Sequence, residues 1–363
     1  MRVLHVNDEP LSELGGVSRF IERLIDAQEA SGVQTRLLTA PAHRGGLGKV
    51  LDFWDPAARR SVEAAVDEFS PDVVHLHNVL RENSISVAAL RRSLPIVMSV
   101  HDPKILGETD HGTALLLGAV DRWVKSPWER SVARSRVTLF APVSEELTAR
   151  CIATGLRPAH WLAGPTLLPT ASFPPPSQCN DVIYVGRLAA DKGVMQLFDA
   201  WRLLGLSTSA WRLRVIGDGP QRAALQRWAH ELELDVDFAG TLDSEGVSTA
   251  LGAARLVVLP YQRSLRQASS LVALEAASHS RPIVVGDDPA VMEIIKRLGA
   301  GTGVDASSAS SLAAAIAGYL DDGERCDVEG AVMAAAVLEH YSPEAVARRC
   351  LELYSLAREL ASA

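Results

Sequence analysis

The chain has 363 residues, 47% of them hydrophobic, which suffices for substantial cores and exceeds one comfortable globular unit, so two domains are expected. Its 36 Lys plus Arg against 44 Asp plus Glu give a formal net charge of -8, which excludes a global basic field for gathering nucleic acid or anionic lipid. Four dispersed cysteines without a C-x-x-C pair point to neither a zinc site nor a disulfide framework, and no run reaches the roughly 20 apolar residues of a membrane span.

Short β-branched runs alternate with amphipathic stretches along the first half. Val3 to Val6, Gln34 to Leu38, Val73 to Leu76, Ile96 to Val100 and Val137 to Phe140 read as buried parallel strands. Between the first two, Val17, Phe20, Ile21, Leu24 and Ile25 fall at helical spacing over Gly16 to Ala30, behind a Gly15-Gly16 pair that permits close backbone approach to a ligand. A proline-rich stretch, Phe173-Pro174-Pro175-Pro176, resists helix and central strand, and the domain boundary is placed there. The expected division is 1–165, a linker over 166–180, a second domain over 181–342 and a final helix over 343–363 that is expected to cross back to the first domain. Strands in the second series are Val182 to Val185, Leu213 to Ile216, Val236 to Phe238, Leu256 to Leu259 and Pro282 to Val285. The fold class is α/β, with two doubly wound Rossmann-like domains whose strand carboxyl ends face a shared cleft. The opening run Met1 to Asp8 is too short and too polar for a signal peptide, so a soluble cytoplasmic chain is expected, with any membrane contact peripheral.

Three segments carry candidate chemistry. Lysine occurs only at Lys49, Lys104, Lys125, Lys192 and Lys296, and one of these ends the run Val185-Gly186-Arg187-Leu188-Ala189-Ala190-Asp191-Lys192. Two cations at a strand's carboxyl end beside a helix N-terminus suit a diphosphate. Next, Ile216-Gly217-Asp218-Gly219 resembles half a dinucleotide fingerprint, but Arg222 stands at the third small-residue position and argues against a redox cofactor. The third segment begins at Gln267, where Ser269 and Ser270 open a helix with free N–H groups and Glu275 follows as a carboxylate able to accept from ribose hydroxyls. The pairs Asp287-Asp288 and Asp321-Asp322 read as solvated or capping groups and not as a metal site. His75 and His77 are read as alternating across the third strand, so that at most one faces the cleft, and His75, His77 and His111 are taken as packed or solvated imidazoles.

In their order and spacing, these segments resemble glycosyltransferase family 4, the retaining GT-B enzymes. Gly15-Gly16, Pro71 to Asn78 and Ser99-Val100-His101-Asp102 complete the set, which spans nearly the whole chain. The resemblance implies a hexose-type transfer from a nucleotide-diphosphate sugar to an acceptor hydroxyl, with UDP- or GDP-sugar as co-substrate and no metal or other cofactor. In it, Arg187 and Lys192 grip the diphosphate, Gly16 and the backbone at Ser270 and Leu271 donate to phosphate oxygens, and Glu275 holds the ribose. His101 faces the transferred sugar. Gly15, Gly186, Gly217, Gly240, Thr241 and Gln267 fall among the donor-binding positions, with the base held around Phe238 to Leu242. The acceptor, a glycan, lipid-linked glycan or small natural product, docks near Gly15, Gly16 and His101, and closure about the proline-rich hinge excludes water.

The sequence departs from the family at Gln267, where the pattern has a glutamate, at Ser269-Ser270 in place of Phe-Gly, and at Pro289-Ala290 in place of a glycine pair. Gln267 therefore keeps open an alternative, a catalytically silent GT-B partner that binds nucleotide or glycan for an active transferase. A GT-B-like epimerase or phosphorylase would need further carboxylates or a lysine-bound cofactor. The basic, aromatic run Arg122 to Trp128 could touch a membrane, but Asp121, Glu129 and Pro127 interrupt it and favour a packed helix.

Overall fold

The computed structural model describes every residue except 8–10, 12–15, 40–55, 78–89, 92, 102, 107–125, 167, 206–209, 264–269 and 363. Two compact units emerge, Met1–Pro165 joined by Pro343–Ala363, and Thr166–Ser342.

In the first unit, β1 (Arg2–Asn7), β2 (Gln34–Thr39), β3 (Val73–His77), β4 (Ile96–Val100) and β5 (Leu139–Pro142) form a parallel sheet in the order β2-β1-β3-β4-β5. Every residue of β3 and β4 is buried, as strands covered on both faces require. Helices α1 (Gly16–Ala30), α2 (Pro56–Phe69), α3 (Ser126–Arg136) and α4 (Glu145–Ala153) link the strands. The strand expected over Val137 to Phe140 begins two residues later, because the Val137 N–H still donates to the Ala133 carbonyl at the end of α3.

The second unit holds a six-stranded parallel sheet. Its strands are β6 (Asp181–Val185), β7 (Arg212–Ile216), β8 (Val236–Gly240), β9 (Ala254–Leu259), β10 (Ile283–Val285) and β11 (Thr302–Gly303), in the order β11-β10-β9-β6-β7-β8. The two-residue β11 is too short to leave a hydrophobic pattern in the sequence. Helices α5 (Val194–Leu204), α6 (Arg222–Glu231), α7 (Ser244–Gly252), α8 (Leu271–Ser278), α9 (Pro289–Leu298), α10 (Ala309–Leu320) and α11 (Gly323–His340) complete the unit.

Both strand orders are doubly wound. The first reverses direction between β1 and β3 and the second between β6 and β9, and in open α/β sheets ligands bind outside the carboxyl ends at such points.

The last helix, α12 (Pro343–Ser362), packs on α1 of the first unit. Val346, Cys350, Leu353, Tyr354 and Ala357 repeat at helical spacing and supply its buried stripe.

The proline-rich stretch is tied to the second unit and does not hang free as a linker. Buried Arg281 donates from Nε to the His279 carbonyl (2.8 Å), from Nη1 to Ala254 (3.0 Å) and from Nη2 to Pro174 (2.6 Å). Arg255 donates to the Tyr319 and Leu320 carbonyls at the end of α10 and to Pro176. These fixed forks satisfy carbonyls of irregular backbone that prolines leave without ladder partners.

Replacing Arg281 with Leu strands three carbonyls, each costing about 1–3 kcal/mol when buried and unpaired. The expected outcome is a loss of several kcal/mol confined to the second unit, read as a lowered urea midpoint. An unchanged midpoint would show that water satisfies those carbonyls.

Candidate active site

Three glycine turns meet at the carboxyl edge of the second sheet. The Gly186 N–H after β6 donates to the Ile216 carbonyl (3.0 Å), and the Gly217 N–H after β7 donates to Gly240 at the end of β8 (2.8 Å). Leu188 N–H then donates to the Asp218 carbonyl (2.9 Å). A side chain at Gly217 would collide with the Gly186 carbonyl, so glycine is what lets the first two turns touch. Arg222 opens α6 and reaches Asp218 across 3.5 Å, one helical turn back. Thr241 follows Gly240 and is exposed.

Arg187 and Lys192 are both delivered by the turn after β6. The Tyr184 hydroxyl donates to the Arg187 carbonyl at 2.9 Å, which fixes the backbone beneath an exposed guanidinium. Lys192 is more enclosed, its side chain 16% exposed, with Nζ 4.1 Å from the Tyr261 ring centroid and 4.0 Å from Asp191 Oδ2. Burial pushes its ammonium pKa down; Asp191 and Asp288 pull it back up, and Arg187 pushes it down. Gly193, in the left-handed conformation with φ 67°, lies where a Cβ would strike the Pro260 carbonyl, so the turn carrying Lys192 is pressed against the end of β9.

Tyr261 is the connection that sequence reasoning passed over. Its hydroxyl is hydrogen-bonded to the Ser270 side chain, and its burial pushes the phenol pKa up. Ser270 is the N-cap of α8, its Oγ accepting from Ala273 N–H at 3.3 Å. The structure thus places Lys192, Tyr261, Ser270 and the opening of α8 at Leu271 in one row across the β6/β9 reversal. An aromatic residue two positions past the end of a buried strand was the available signal. Glu275 lies farther along α8 and is 7% exposed, a buried carboxylate and not a surface one. Gln267 lies outside the described residues, as do Gly15 and His111. Of the acidic pairs, Asp288 caps α9 through Ala290 N–H (3.1 Å) and Asp322 caps α11 through Arg325 N–H (2.9 Å).

The first unit offers a different chemistry at the β1/β3 reversal. Gly16 is the first residue of α1, and Phe20, one turn later, sets its ring edge-on to His101 with centroids 4.5 Å apart. His101 follows β4 and is half-buried. Behind it lie His5, His75 and His77, all fully buried. The expectation that His75 and His77 alternate across the strand is corrected here, while both are packed imidazoles as expected. Residues two apart on a strand share a face, and these rings sit 4.2 Å apart, both against His5.

Every ring nitrogen of the three buried histidines has a partner. His5 meets His77 (Nδ1 to Nε2, 3.0 Å) and Gln28 Oε1 (from Nε2, 2.9 Å); His75 meets the Tyr354 hydroxyl (2.6 Å) and Ser99 Oγ (2.8 Å). His77 Nδ1 also meets His101 Nε2 at 3.4 Å. Desolvation pushes all four imidazole pKa values down, His5 to about 4 and His101 to about 3. One potential ligand atom from each of His5, His75 and His77 lies within 4.8 Å of the others, close enough to share an ion. The partners in place are neutral, and protons bridging nitrogen to nitrogen and nitrogen to oxygen satisfy these rings without one.

In the membrane-facing candidate run, residues 121–125 lie outside the described set. Arg130 donates to the Leu106 carbonyl at 2.9 Å, while Trp128 is 40% exposed. Among the described residues no helix is long and apolar enough to cross a membrane.

Comparison with known proteins assigns both units. Residues 171–329 match the family model "Glycosyl transferases group 1" and residues 15–165 match "Glycosyl transferase 4-like domain". The chain is 28% identical over 265 residues to glycogen synthase of Mycobacterium tuberculosis, covering 69% of this chain and 61% of the synthase's length. In fold it is similar to sucrose-phosphate synthase from Thermosynechococcus elongatus (TM-score 0.76, 17% identity, 98% of this chain and 99% of that one). It is also similar to Anabaena HepE solved with UDP-glucose (TM-score 0.70, 16% identity, 98% of this chain and 100% of that one). Matched by these models over both its doubly wound units, the chain belongs to the family 4-like glycosyltransferases of the GT-B fold.

Proposed function

We propose that this protein transfers a hexose-type sugar from a nucleoside-diphosphate donor to an acceptor hydroxyl, with retention of anomeric configuration and without a metal ion. The observation that carries the reading is the placement of Arg187 and Lys192 beside the Ser270-capped start of α8, across the β6/β9 reversal. Two like charges held near one another are a strained arrangement that a diphosphate relieves. The first N–H groups of α8 lack intrahelical acceptors and suit the same anion.

In this reading the departing diphosphate gains negative charge as the glycosyl bond breaks, and fixed cations with N–H dipoles lower the barrier where that charge develops. Gly186, Gly217, Gly240 and Thr241 line the base and phosphate edge, and Glu275 accepts from the ribose. Gln267 takes the place of the carboxylate expected at the sugar hydroxyls. By the family resemblance, Gly16 is assigned to the distal phosphate and His101 to the transferred sugar. The matched glycogen synthase and the HepE structure with UDP-glucose favour a UDP- or other nucleoside-diphosphate glucose-type donor. A glycan, lipid-linked glycan or small-molecule hydroxyl serves as acceptor.

A panel of UDP-, GDP-, ADP- and dTDP-sugars, followed by release of nucleoside diphosphate, tests the reading. One donor should turn over in EDTA, with Arg187→Ala and Lys192→Ala each lowering kcat by about 100-fold or more. Proton NMR of the product should show the donor's anomeric configuration. If the folded protein binds no donor, the transferase reading falls and a silent partner replaces it.

The neutral histidines give a pH prediction. Above pH 6.5 their contribution to stability is fully present. As pH falls from 6.5 toward 4 the unfolded chain takes up protons that the folded one refuses, costing about 1.4 kcal/mol per pH unit for each histidine. Activity below pH 6 should therefore fall together with the urea midpoint of the first unit. An activity limb near pH 6.5 with an unmoved midpoint would show His101 titrating in the native protein.

A further inference from the structure

The hydrogen bonds behind His101 form a chain with a direction. At its far end the Gln28 side chain donates from Nε2 to the Tyr354 hydroxyl (3.0 Å) and toward Cys350 Sγ (3.4 Å), and its Oε1 faces His5 Nε2 at 2.9 Å. Tyr354 and Cys350 together face the nitrogen end of that amide. The amide nitrogen lies against the Tyr354 hydroxyl, whose oxygen accepts there, and the same hydroxyl lies 2.6 Å from His75 Nδ1. His75 Nε2 meets Ser99 Oγ at 2.8 Å.

From that anchor each proton position follows. An amide oxygen only accepts, so His5 carries its proton on Nε2 and leaves Nδ1 bare. His77 Nε2–H then donates to His5 Nδ1 at 3.0 Å, which leaves His77 Nδ1 bare. His101 Nε2–H donates to His77 Nδ1 at 3.4 Å, the longest link. The ring nitrogen of His101 left over is Nδ1, unprotonated and turned away from the chain. Reversing the Gln28 amide would reverse every tautomer, and His101 would present a donor instead.

We infer that Gln28, oriented by Tyr354, is a positioning residue that sets the tautomer of His101 through His5 and His77, so that His101 offers its ligand a bare Nδ1 acceptor. The inference rests on the reading of His101 as the residue facing the transferred sugar. A bare nitrogen there accepts a hydrogen bond from a sugar hydroxyl, and a deoxy sugar lacking that hydroxyl leaves it unpaired. The chain joins residues of β1, α1, β3 and α12 to the residue after β4, all within the first unit.

Nitrogen-15 NMR of the histidine-labelled full-length protein reads the tautomers directly, without donor or acceptor. In the wild type, His5, His77 and His101 should each show a protonated Nε2 and a pyridine-like Nδ1. Gln28→Leu removes the anchor, and Tyr354→Phe, which keeps the packing, frees the amide to turn; either should bring the two His101 nitrogen shifts toward averaged values. Gln28→Glu supplies an acceptor oxygen again and should restore the wild-type pattern. A wild-type His101 protonated on Nδ1 overturns the inference, as does a His101 spectrum untouched by both Gln28→Leu and Tyr354→Phe. A stoichiometric transition metal on these rings in the purified protein would overturn it too. Turnover separates this from the reading of His101. If the tautomer moves in Gln28→Leu and kcat falls about tenfold at constant KM for the donor, both stand; if the tautomer moves and kcat does not, the positioning holds and the sugar-facing role of His101 fails.

Discussion

The parallel ladder is the constraint on which the rest of this molecule depends. Because every strand in both sheets runs the same way, every carboxyl end emerges on one edge, and the turn leaving each strand is forced into company with the turns leaving its neighbours. In the second unit glycine turns that company into contact. Gly186, Gly217 and Gly240 close three consecutive strands and bond through their backbones, a proximity that a Cβ at Gly217 would prevent. The cations of the turn that Gly186 opens are thereby held on stitched backbone, which is what preorganised charge requires.

The two units solve the burial of polar groups in opposite ways. The second keeps Lys192 enclosed but surrounded by countervailing influences, two carboxylates against a neighbouring guanidinium and the face of an aromatic ring. An anion beside it would favour the charged form that burial disfavours. The first unit keeps its histidines neutral and satisfies each nitrogen with another neutral group. An unpaired imidazole in that core would cost the full desolvation of its polar atoms, so the network stands or falls as a set.

What the sequence made legible was local. Strand-glycine-helix passages such as Val185 to Lys192 announce themselves within ten residues, because turn chemistry and strand burial are both short-range, and His101 could be found from the motif beside it. The misreading of His75 and His77 was a failure of period: residues two apart share a face of a strand, and the pair belongs to one cluster. Other features had no local signature. Tyr354 is 326 residues from Gln28, and only the return of α12 to the first unit brings them together. Arg255 and Arg281 look like surface charges in the sequence, yet they reach carbonyls of the proline-rich stretch that no nearby pattern connects to them.

The return of α12 therefore does more than cover α1. Its apolar stripe secures the helix, since each buried side chain of leucine or valine size contributes about 1.5–3 kcal/mol. On that same face Tyr354 sets one hydroxyl against both His75 and Gln28 and accepts from the Gln28 amide. A hydroxyl has one proton, so the two hydrogen bonds cannot be chosen independently. Packing energy supplied by the end of the chain thus fixes a proton assignment near its beginning. The hydrogen-bonding character presented at a strand's carboxyl end can be governed by a helix from the far end of the sequence.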